Sequence, residues 1–484
     1  MRIMELIKSK YTRVLKGRKK ALVYHSLFGY PFIVSLSVIT LLDLFENGNS
    51  LDWIKRNYKV KDLKKSIDFM LKRYFLIPFG FNERNLLKKR SELYRLGIEN
   101  GELIDFLSLI LAKACNFRCD YCFAHKKMTS GYRKQKRLMN LKTAKVSVDL
   151  FADILERNKK KEAVINFGGG EPLLNFVVLK QILNYCYQRW KDREHLKFVI
   201  NTNASLISRE IAETFKLFNV EITTSLDGLE EANDAVRVTK SDKGTFRKIL
   251  KGWTNLEHAG IKLDGFCCTF NRKNFHLINE TFLDFVAEKG MEEVRIDPDV
   301  VHTFDIPVTE IADKMINLRS YGKSIGVFVT GFWDRPFENL HSSFLKKRTA
   351  FCGGIRGNSL VIDPNGDVFL CGYSSDILGN IFDKEIEKIF DYGRKYYNVV
   401  TSRLVGEIKK CNGCEIEGQC VGGCYVAEEH ERSGDYEIVS RNCELYKIMT
   451  QKLLLEELLN DERQKLRKKG GRQNGKEIQK AKET

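Results

Sequence analysis

Cys115-Asn116-Phe117-Arg118-Cys119-Asp120-Tyr121-Cys122 is the stretch on which the reading of this chain turns. It follows directly on the apolar, strand-like run Phe106–Ala112. A second set of cysteines, Cys352, Cys371, Cys411, Cys414, Cys420, Cys424 and Cys443, lies in the last third of the chain. Thiolates grouped in this way hold iron–sulfur clusters or zinc. The first group offers three ligands where a cubane cluster has four irons, so one iron is left for something other than protein. An open iron beside a bound molecule is a reaction site, which points to a redox enzyme.

Outward from the octapeptide, residues Phe106 to about Ser320 alternate strand-like and helix-like segments. The expected strands are Phe106–Ala112, Ala163–Phe167, Leu196–Asn201, Val220–Ser225, Lys262–Thr269 and Glu292–Asp297. Leu141–Arg157, Phe176–Trp190 and Phe246–Glu257 are amphipathic at helical spacing. Repeated β-then-α units imply a parallel sheet with right-handed crossovers. Six such units are too few for a closed eight-unit barrel, so an α/β fold with an open, partial (β/α)6 barrel is expected. In such folds the chemistry sits at the C-terminal ends of the strands, which is where Cys115 falls.

The chain has 484 residues, 13 cysteines and a formal charge of +18. One core stops growing near ~250–300 residues, so two or three domains are expected. A secreted, disulfide-bonded protein is disfavoured: the chain is large, and Met1 to Lys20 is basic without an apolar signal core. Reduced thiolates point to the cytoplasm. The most apolar run, Tyr30 to Phe45, contains Asp43 and is shorter than the ~20 residues that span a bilayer. The basic charge suits an acidic partner or a merely solvated surface. Part of it sits in Arg463 to Lys482, a Lys/Arg/Gly/Gln-rich tail that reads as disordered.

The first 100 residues carry no grouped cysteines. Ala21–Tyr24 and Phe32–Ser35 read as strands, and Ser37–Glu46, Leu51–Asn57 and Val60–Arg73 as helices, with Ser50 as an N-cap and Leu63, Ile67 and Leu71 on one face. Tyr74–Phe81 reads as a β wing and Glu83–Leu96 as a connecting helix. These elements make a small winged-helix-like domain over residues 1–100. Residues 341–450 are loop-rich and are expected to fold around their metal, with helices at Phe390–Tyr397 and Tyr446–Leu458. That leaves 101–340 for the barrel and 451–484 for a terminal helix and tail.

The cysteine run resembles the CxxxCxxC signature of the radical S-adenosylmethionine (SAM) superfamily. Gly168-Gly169-Gly170-Glu171-Pro172, after the second strand, resembles that family's GGEP motif. Asn203 follows the third strand, and Ser225-Leu226-Asp227-Gly228 ends the fourth, with Arg237 shortly after. The resemblance implies that Cys115, Cys119 and Cys122 bind a cluster, and that SAM chelates its open iron. Tyr121, Gly169, Gly170, Glu171, Pro172, Asn203, Ser225, Asp227 and Arg237 would then bind SAM, Glu171 through its ammonium group. Thr269 and Asn271 are weaker candidates. One electron into that cluster would cleave the sulfonium bond, and the resulting 5′-deoxyadenosyl radical would take a hydrogen atom from the substrate. For Arg237 a surface ion pair is the rival reading. Cys186, Cys267 and Cys268 fit no cluster spacing and read as packing. His125 reads as incidental.

The C-terminal cysteines resemble the SPASM domain of peptide-modifying radical SAM enzymes: Cys352, Gly366 to Cys371, Cys411-x2-Cys414-x5-Cys420-x3-Cys424, then Cys443. Zinc is the chemical alternative for such spacing. The resemblance implies auxiliary cluster I on Cys352, Cys371 and Cys424, and auxiliary cluster II on Cys411, Cys414, Cys420 and Cys443. In all it implies SAM and three 4Fe-4S clusters. Two departures matter. Sulfatase-maturating relatives place an Asp where this chain has Gly372, which disfavours that activity. They also carry an extra cysteine between the positions of Cys352 and Cys371, leaving auxiliary cluster I here with three protein ligands.

The first domain is similar in pattern to the recognition element that binds the leader of a ribosomally made precursor peptide, typically by strand addition. A structural cap or a DNA-reading winged helix are the alternatives. The latter is disfavoured, because Leu51–Asn57 is short and offers only Lys55 and Arg56. The expected enzyme is a peptide maturase that forms a cysteine sulfur-to-carbon thioether; the open iron of auxiliary cluster I would take the substrate thiolate, with water or a non-cysteine ligand as the equal alternative. Carbon–carbon crosslinking of the same peptide is the rival, and a non-catalytic iron–sulfur peptide-binding protein is the rival from another class. Partners would be the precursor peptide with its leader and a reduced flavodoxin or ferredoxin-type electron donor; neither a membrane nor nucleic acid is expected.

Overall fold

The computed structural model describes residues 5–46, 49–59, 62–122, 137–190, 194–299, 306–342, 350–434 and 437–480. His125 lies outside them.

The first body contains β1 (Leu6–Lys8), β2 (Thr12–Lys16), β3 (Lys20–His25), β4 (Gly29–Ser35) and β5 (Leu76–Pro78). β2, β3 and β4 form an antiparallel sheet, and β1 pairs antiparallel with β5. Helices Leu36–Leu44, Leu51–Asn57 and Leu63–Lys72 lie between β4 and β5. The expected strands are the centres of β3 and β4. β1 and β2 escaped the reading because they are short and carry interleaved basic residues. The expected wing is a single strand, β5, closed by β1. Ser50 caps as expected, its Oγ accepting the Trp53 N–H at 3.1 Å. A cap of this kind contributes about 1 kcal/mol. Val23, Ile39, Leu42, Phe45, Ile54, Met70 and Phe75 form a core of their own. Helix Glu83–Glu99 leads to the second body.

There the strands are β6 (Phe106–Ala112), β7 (Phe117–Cys119), β8 (Ala163–Gly169), β9 (Leu196–Asn201), β10 (Val220–Ser225), β11 (Arg237–Thr239), β12 (Gly265–Phe270), β13 (Glu293–Pro298) and β14 (Phe328–Thr330). β15 (Ser359–Ile362), β16 (Asp367–Phe369) and β17 (Gly379–Asn380) follow. One open ten-stranded sheet runs β14-β13-β12-β10-β9-β8-β6-β15-β16-β17. It is parallel from β14 to β15. Consecutive strands are spatial neighbours, so right-handed crossovers keep every helix on one face. Those helices bury Phe151, Ile182, Phe215, Trp253, Phe282 and Met315 with strand residues such as Phe167, Phe198 and Phe266. On β12, Phe266, Cys268 and Phe270 are buried against this layer, while Cys267 and Thr269 are half-buried on the other face.

The expected six strands are present. β14 adds a seventh, too short to show a period. β15 joins the sheet from beyond residue 350, so the 340/341 boundary is not a break in the sheet. Phe390–Tyr397 is not helical as expected; the helix is Lys395–Ser402. Gly393 at φ +80° and an extended Arg394 force the later start. The last helix spans Glu437–Lys480, longer than Tyr446–Leu458 and through the tail expected to be disordered. Met449, Leu453, Leu454 and Leu458 anchor its first half. No helix among the described residues is long and apolar enough to cross a membrane.

Candidate active site and cluster-binding cysteines

All the motif residues around the first cysteine group lie at the C-terminal ends of parallel strands. The octapeptide leaves β6, and its middle is β7, which pairs antiparallel with β11: Cys119 opposite Arg237 and Phe117 opposite Thr239. The Asp120 N–H donates to Val236 O at 3.0 Å. The Phe117 N–H donates to Cys115 Sγ at 3.4 Å. Lys273 pairs with Asp120 and Arg118 with Asp242. This three-residue ribbon holds the loop, and it is too short to carry a periodic signal in sequence. Burial pushes the thiol pKa of Cys115 up to about 11 and of Cys119 up to about 12. Such thiols stay protonated at neutral pH unless a metal displaces the proton.

The glycine run packs on the same loop. The Gly170 N–H donates to Ala112 O at 2.7 Å and the Glu171 N–H to Ala114 O at 2.9 Å. A Cβ on Gly169, which sits at φ +125°, would collide with Ala112 O, and one on Gly170 with Ala114 O. The close approach is therefore to the chain's own backbone just before Cys115, as well as to any ligand above. Gly169 is exposed and Gly170 half-buried, so their backbone forms part of the open surface.

Glu171 lies under this loop. It is fully buried, and its carboxylate accepts from the Leu173 N–H at 3.0 Å, the Thr202 hydroxyl at 2.7 Å and the Asn203 N–H at 2.8 Å. Burial raises its pKa to about 7 against these donors, which pull it down. It braces the ends of β8 and β9 from inside. Pro172 is buried beside it at the start of a short 3-10 turn. The Asn203 side chain is likewise spent on the loop: its Nδ2 donates to Asn116 Oδ1 at 2.9 Å and lies 3.8 Å from Cys115 Sγ.

Asp227 is the hub of the other side. Its Oδ2 accepts from Tyr121 at 2.5 Å and from Arg237 Nε at 2.6 Å, and its Oδ1 accepts the Thr269 N–H at 2.8 Å. Asp227 and Arg237 pair but are both buried, so this is not the surface ion pair of the rival reading. Its guanidinium also lies 5.7 Å from the Tyr121 ring centroid. Asn271 helps turn the end of β12, accepting the Lys273 N–H at 2.9 Å. The expected SAM set thus splits into two layers. Gly169, Gly170, Ser225 and Tyr121 are at least partly exposed, while Glu171, Pro172, Asn203, Asp227 and Arg237 stand behind them.

The open face of the sheet is polar, which the sequence reading missed. Asn166 bridges Ser108 Oγ at 2.8 Å and Asn201 at 3.0 Å across three strands. Cys267, assigned to packing, faces this bowl; Cys268 and Cys186 are buried core as expected. Arg295 pairs with Asp297 at 2.6 Å and lies 3.9 Å from the Phe332 ring centroid. Tyr373, two residues past Cys371, is half exposed, and burial of its hydroxyl pushes its pKa up to about 12. The thiols of Cys371, Cys122 and Cys267 and the guanidinium of Arg295 also act on that hydroxyl.

In the C-terminal region Cys352, Cys371 and Cys424 come together. Burial pushes Cys371 up to about 12 and Cys424 up to about 11, each with other thiols of the trio beside it. Cys411, Cys414, Cys420 and Cys443 form the second group. The loop after Cys371 is pinned by buried Glu429, which accepts the Ser375 N–H at 3.0 Å and pairs with the Ser374 hydroxyl. Glu417 holds the Cys411–Cys414 turn through the Gly413 N–H at 2.8 Å, and takes both 2.9 and 3.0 Å bonds from Arg84 of the first body. Lys113, just before the octapeptide, pairs with buried Asp363 next to β15.

Among the described residues no three such side chains converge tightly enough to share one metal ion. Clustered, buried thiols suit a cubane, which takes one thiolate per iron.

A family model described as the Radical SAM superfamily matches residues 109–285, and one described as an iron–sulfur cluster-binding domain, SPASM, matches residues 352–415. The chain is 28% identical over 462 residues to the radical SAM cyclopropyl synthase TigE of Paramaledivibacter caminithermalis, covering 93% of this chain and 96% of the relative. It is 24% identical over 339 residues to a cysteine-type anaerobic sulfatase-maturating enzyme of Clostridium novyi, covering 66% of this chain and 87% of the relative. Its fold is similar to that of anSMEcpe with bound AdoMet and Cp18Cys peptide, at a TM-score of 0.57 and 17% identity, covering 74% of this chain and 99% of that one.

Proposed function

This chain belongs to the radical SAM enzymes that carry a SPASM domain, and from that premise we propose that it oxidatively modifies a side chain of a ribosomally made precursor peptide. What supports the reading is the open polar face at the strand ends, where Cys267, Thr269, Arg295 and Asp297 are only half-buried and Asp227 ties Thr269 to Tyr121 of the cysteine octapeptide. A substrate held there would meet the SAM-binding cluster that Cys115, Cys119 and Cys122 would hold. When bound, SAM at the open iron supplies a carbon radical able to take hydrogen from an unactivated carbon. Gly169, Gly170, Ser225 and Tyr121 line its seat, with Asp227 holding the tyrosine. The Arg295–Asp297 pair, under Phe332, offers polar groups to a peptide backbone.

Two outcomes are distinguishable. Likeness over nearly the whole chain to a cyclopropyl synthase supports carbon–carbon bond formation. The three-cysteine set Cys352, Cys371 and Cys424 supports the thioether, because it leaves an iron for a substrate thiolate. Sulfatase maturation stays disfavoured: Gly372 has open space where a Cβ would stand, so room for an acid exists but the acid does not. The leader would dock on the β2–β4 sheet by strand addition, and a flavodoxin or ferredoxin would supply the electron.

The test is anaerobic reconstitution followed by counting of iron and sulfide and addition of SAM with dithionite. About twelve irons and release of 5′-deoxyadenosine support the reading. Intact SAM in a fully loaded enzyme would refute it in favour of a non-catalytic binding protein. Co-expression with a short peptide encoded beside the gene separates the outcomes. Both lower the peptide mass by a pair of hydrogens, but only the thioether consumes a thiol that iodoacetamide would alkylate.

A further inference from the structure

Between the two C-terminal cysteine groups lies a guanidinium that the proposed function leaves without a task. Arg403 directly follows helix Lys395–Ser402 and is 2% exposed. Its Nη2 donates to Gly423 O at 2.8 Å. A Cβ on Gly422 would stand 3.2 Å from Nη2 and 3.3 Å from Nη1. The guanidinium therefore lies against the turn Cys420-Val421-Gly422-Gly423-Cys424, whose first cysteine belongs to one group and whose last belongs to the other. Val421, Gly422 and Gly423 all take positive φ, at 47°, 75° and 72°, so the backbone wraps tightly here. The thiols that act on the guanidinium are Cys424, Cys420, Cys411 and Cys352, two from each group.

Its compensation is incomplete. Nη1 pairs with Glu428, whose side chain is 26% exposed, and Nε has no hydrogen-bond acceptor. A buried charge with an unmet donor costs several kcal/mol if it is structural only. Thiolate-ligated clusters on both sides would supply the missing negative charge. Adding an electron to a buried anionic cluster costs less beside a fixed cation, and cluster potentials follow local charge and N–H donors.

We propose that Arg403 is a tuning residue shared by the two auxiliary clusters, its charge and its Nε–H raising their reduction potentials. Glu428 sets the size of the effect by offsetting part of that charge. The assignment rests on the reading that these cysteines hold iron–sulfur clusters.

The experiment is a potentiometric titration of the anaerobically reconstituted full chain, followed by EPR, with iron content measured on every sample. Arg403→Gln is expected to shift the auxiliary-cluster reduction equilibrium about tenfold toward the oxidised form, about 59 mV lower for one electron. Arg403→Lys keeps the charge and should recover most of the shift. Glu428→Gln should move the potentials the opposite way, and it remains decisive if Arg403→Gln fails to load iron. The SAM-binding cluster should not move in any variant. Unmoved auxiliary potentials at full iron loading would overturn this assignment alone. Zinc in place of iron at these cysteines would overturn the cluster reading and the assignment with it.

Discussion

Arg237 Nε lies 2.6 Å from Asp227 Oδ2 in a fully buried ion pair. That carboxylate also holds Tyr121, in the cysteine octapeptide, and the Thr269 N–H at the end of β12. One residue of β10's end thus ties the cluster loop, the β7–β11 ribbon and the next strand together. Removing one member of a buried pair leaves a charge without compensation, which costs about 3–5 kcal/mol. Asp227→Asn should therefore lower unfolding stability by that order in urea titration. The double change Asp227→Asn/Arg237→Gln should be more stable than the single one. A single variant as stable as the parent would mean that the pair is not what holds the loop.

Gly170 offers a local test of the cluster seat. Gly170→Ala puts a Cβ into Ala114 O, so the backbone before Cys115 must move. The expected outcome is loss of about four irons, one cubane's worth, with the auxiliary signals retained. Iron analysis and EPR of the reduced protein read this directly. Full iron loading would show that the loop yields without cost.

Glu171 gives a pH signature. Its folded pKa is raised to about 7 by burial, above the ordinary 4.5. Between those values the folded protein keeps a proton that the unfolded chain releases. Its contribution to stability is then complete below the unfolded value and is lost as pH rises through the folded one. Stability should decline from about pH 4.5 to 7 through this group, and Glu171→Gln should flatten the decline. Above pH 7 the amide, facing the Leu173 and Asn203 N–H groups, should cost about 1–3 kcal/mol. Urea melts of both proteins across that range decide it.

Glu417 joins the first body to the second auxiliary cysteine group. It is 2% exposed, and Arg84 and the Gly413 N–H are its partners. Glu417→Ala should loosen both attachments. Limited proteolysis should cut faster near residue 100, and iron should fall by about four. Arg84→Ala, which removes only the more exposed partner, should have the smaller effect on iron. Equal iron in all three proteins would separate the docking of the first body from the metal site.

Much of this site was legible in sequence because its chemistry is local. Three thiols in eight residues, a glycine run ending a strand, and period-two and period-3.6 patterns are properties of neighbouring residues, and they located β6, β8, β9, β10, β12 and β13. The turns that need glycine were legible for the same reason: no other residue fits at Gly169 without striking Ala112. What each buried polar group does was not legible. That Glu171 and Asn203 also brace the strand ends was not visible, because their hydrogen-bond partners come from segments far apart in the chain. Strands as short as β7, β11 and β14 carry no period and exist only through their pairing. The sequence by itself determined the cofactor chemistry and the fold class. Only the tertiary structure decided that Asp227 ties Tyr121 of the octapeptide to Arg237 and Thr269, and that the Arg403 guanidinium lies against the turn joining the two C-terminal cysteine groups. Charge and burial act through space, and a sequence records only order.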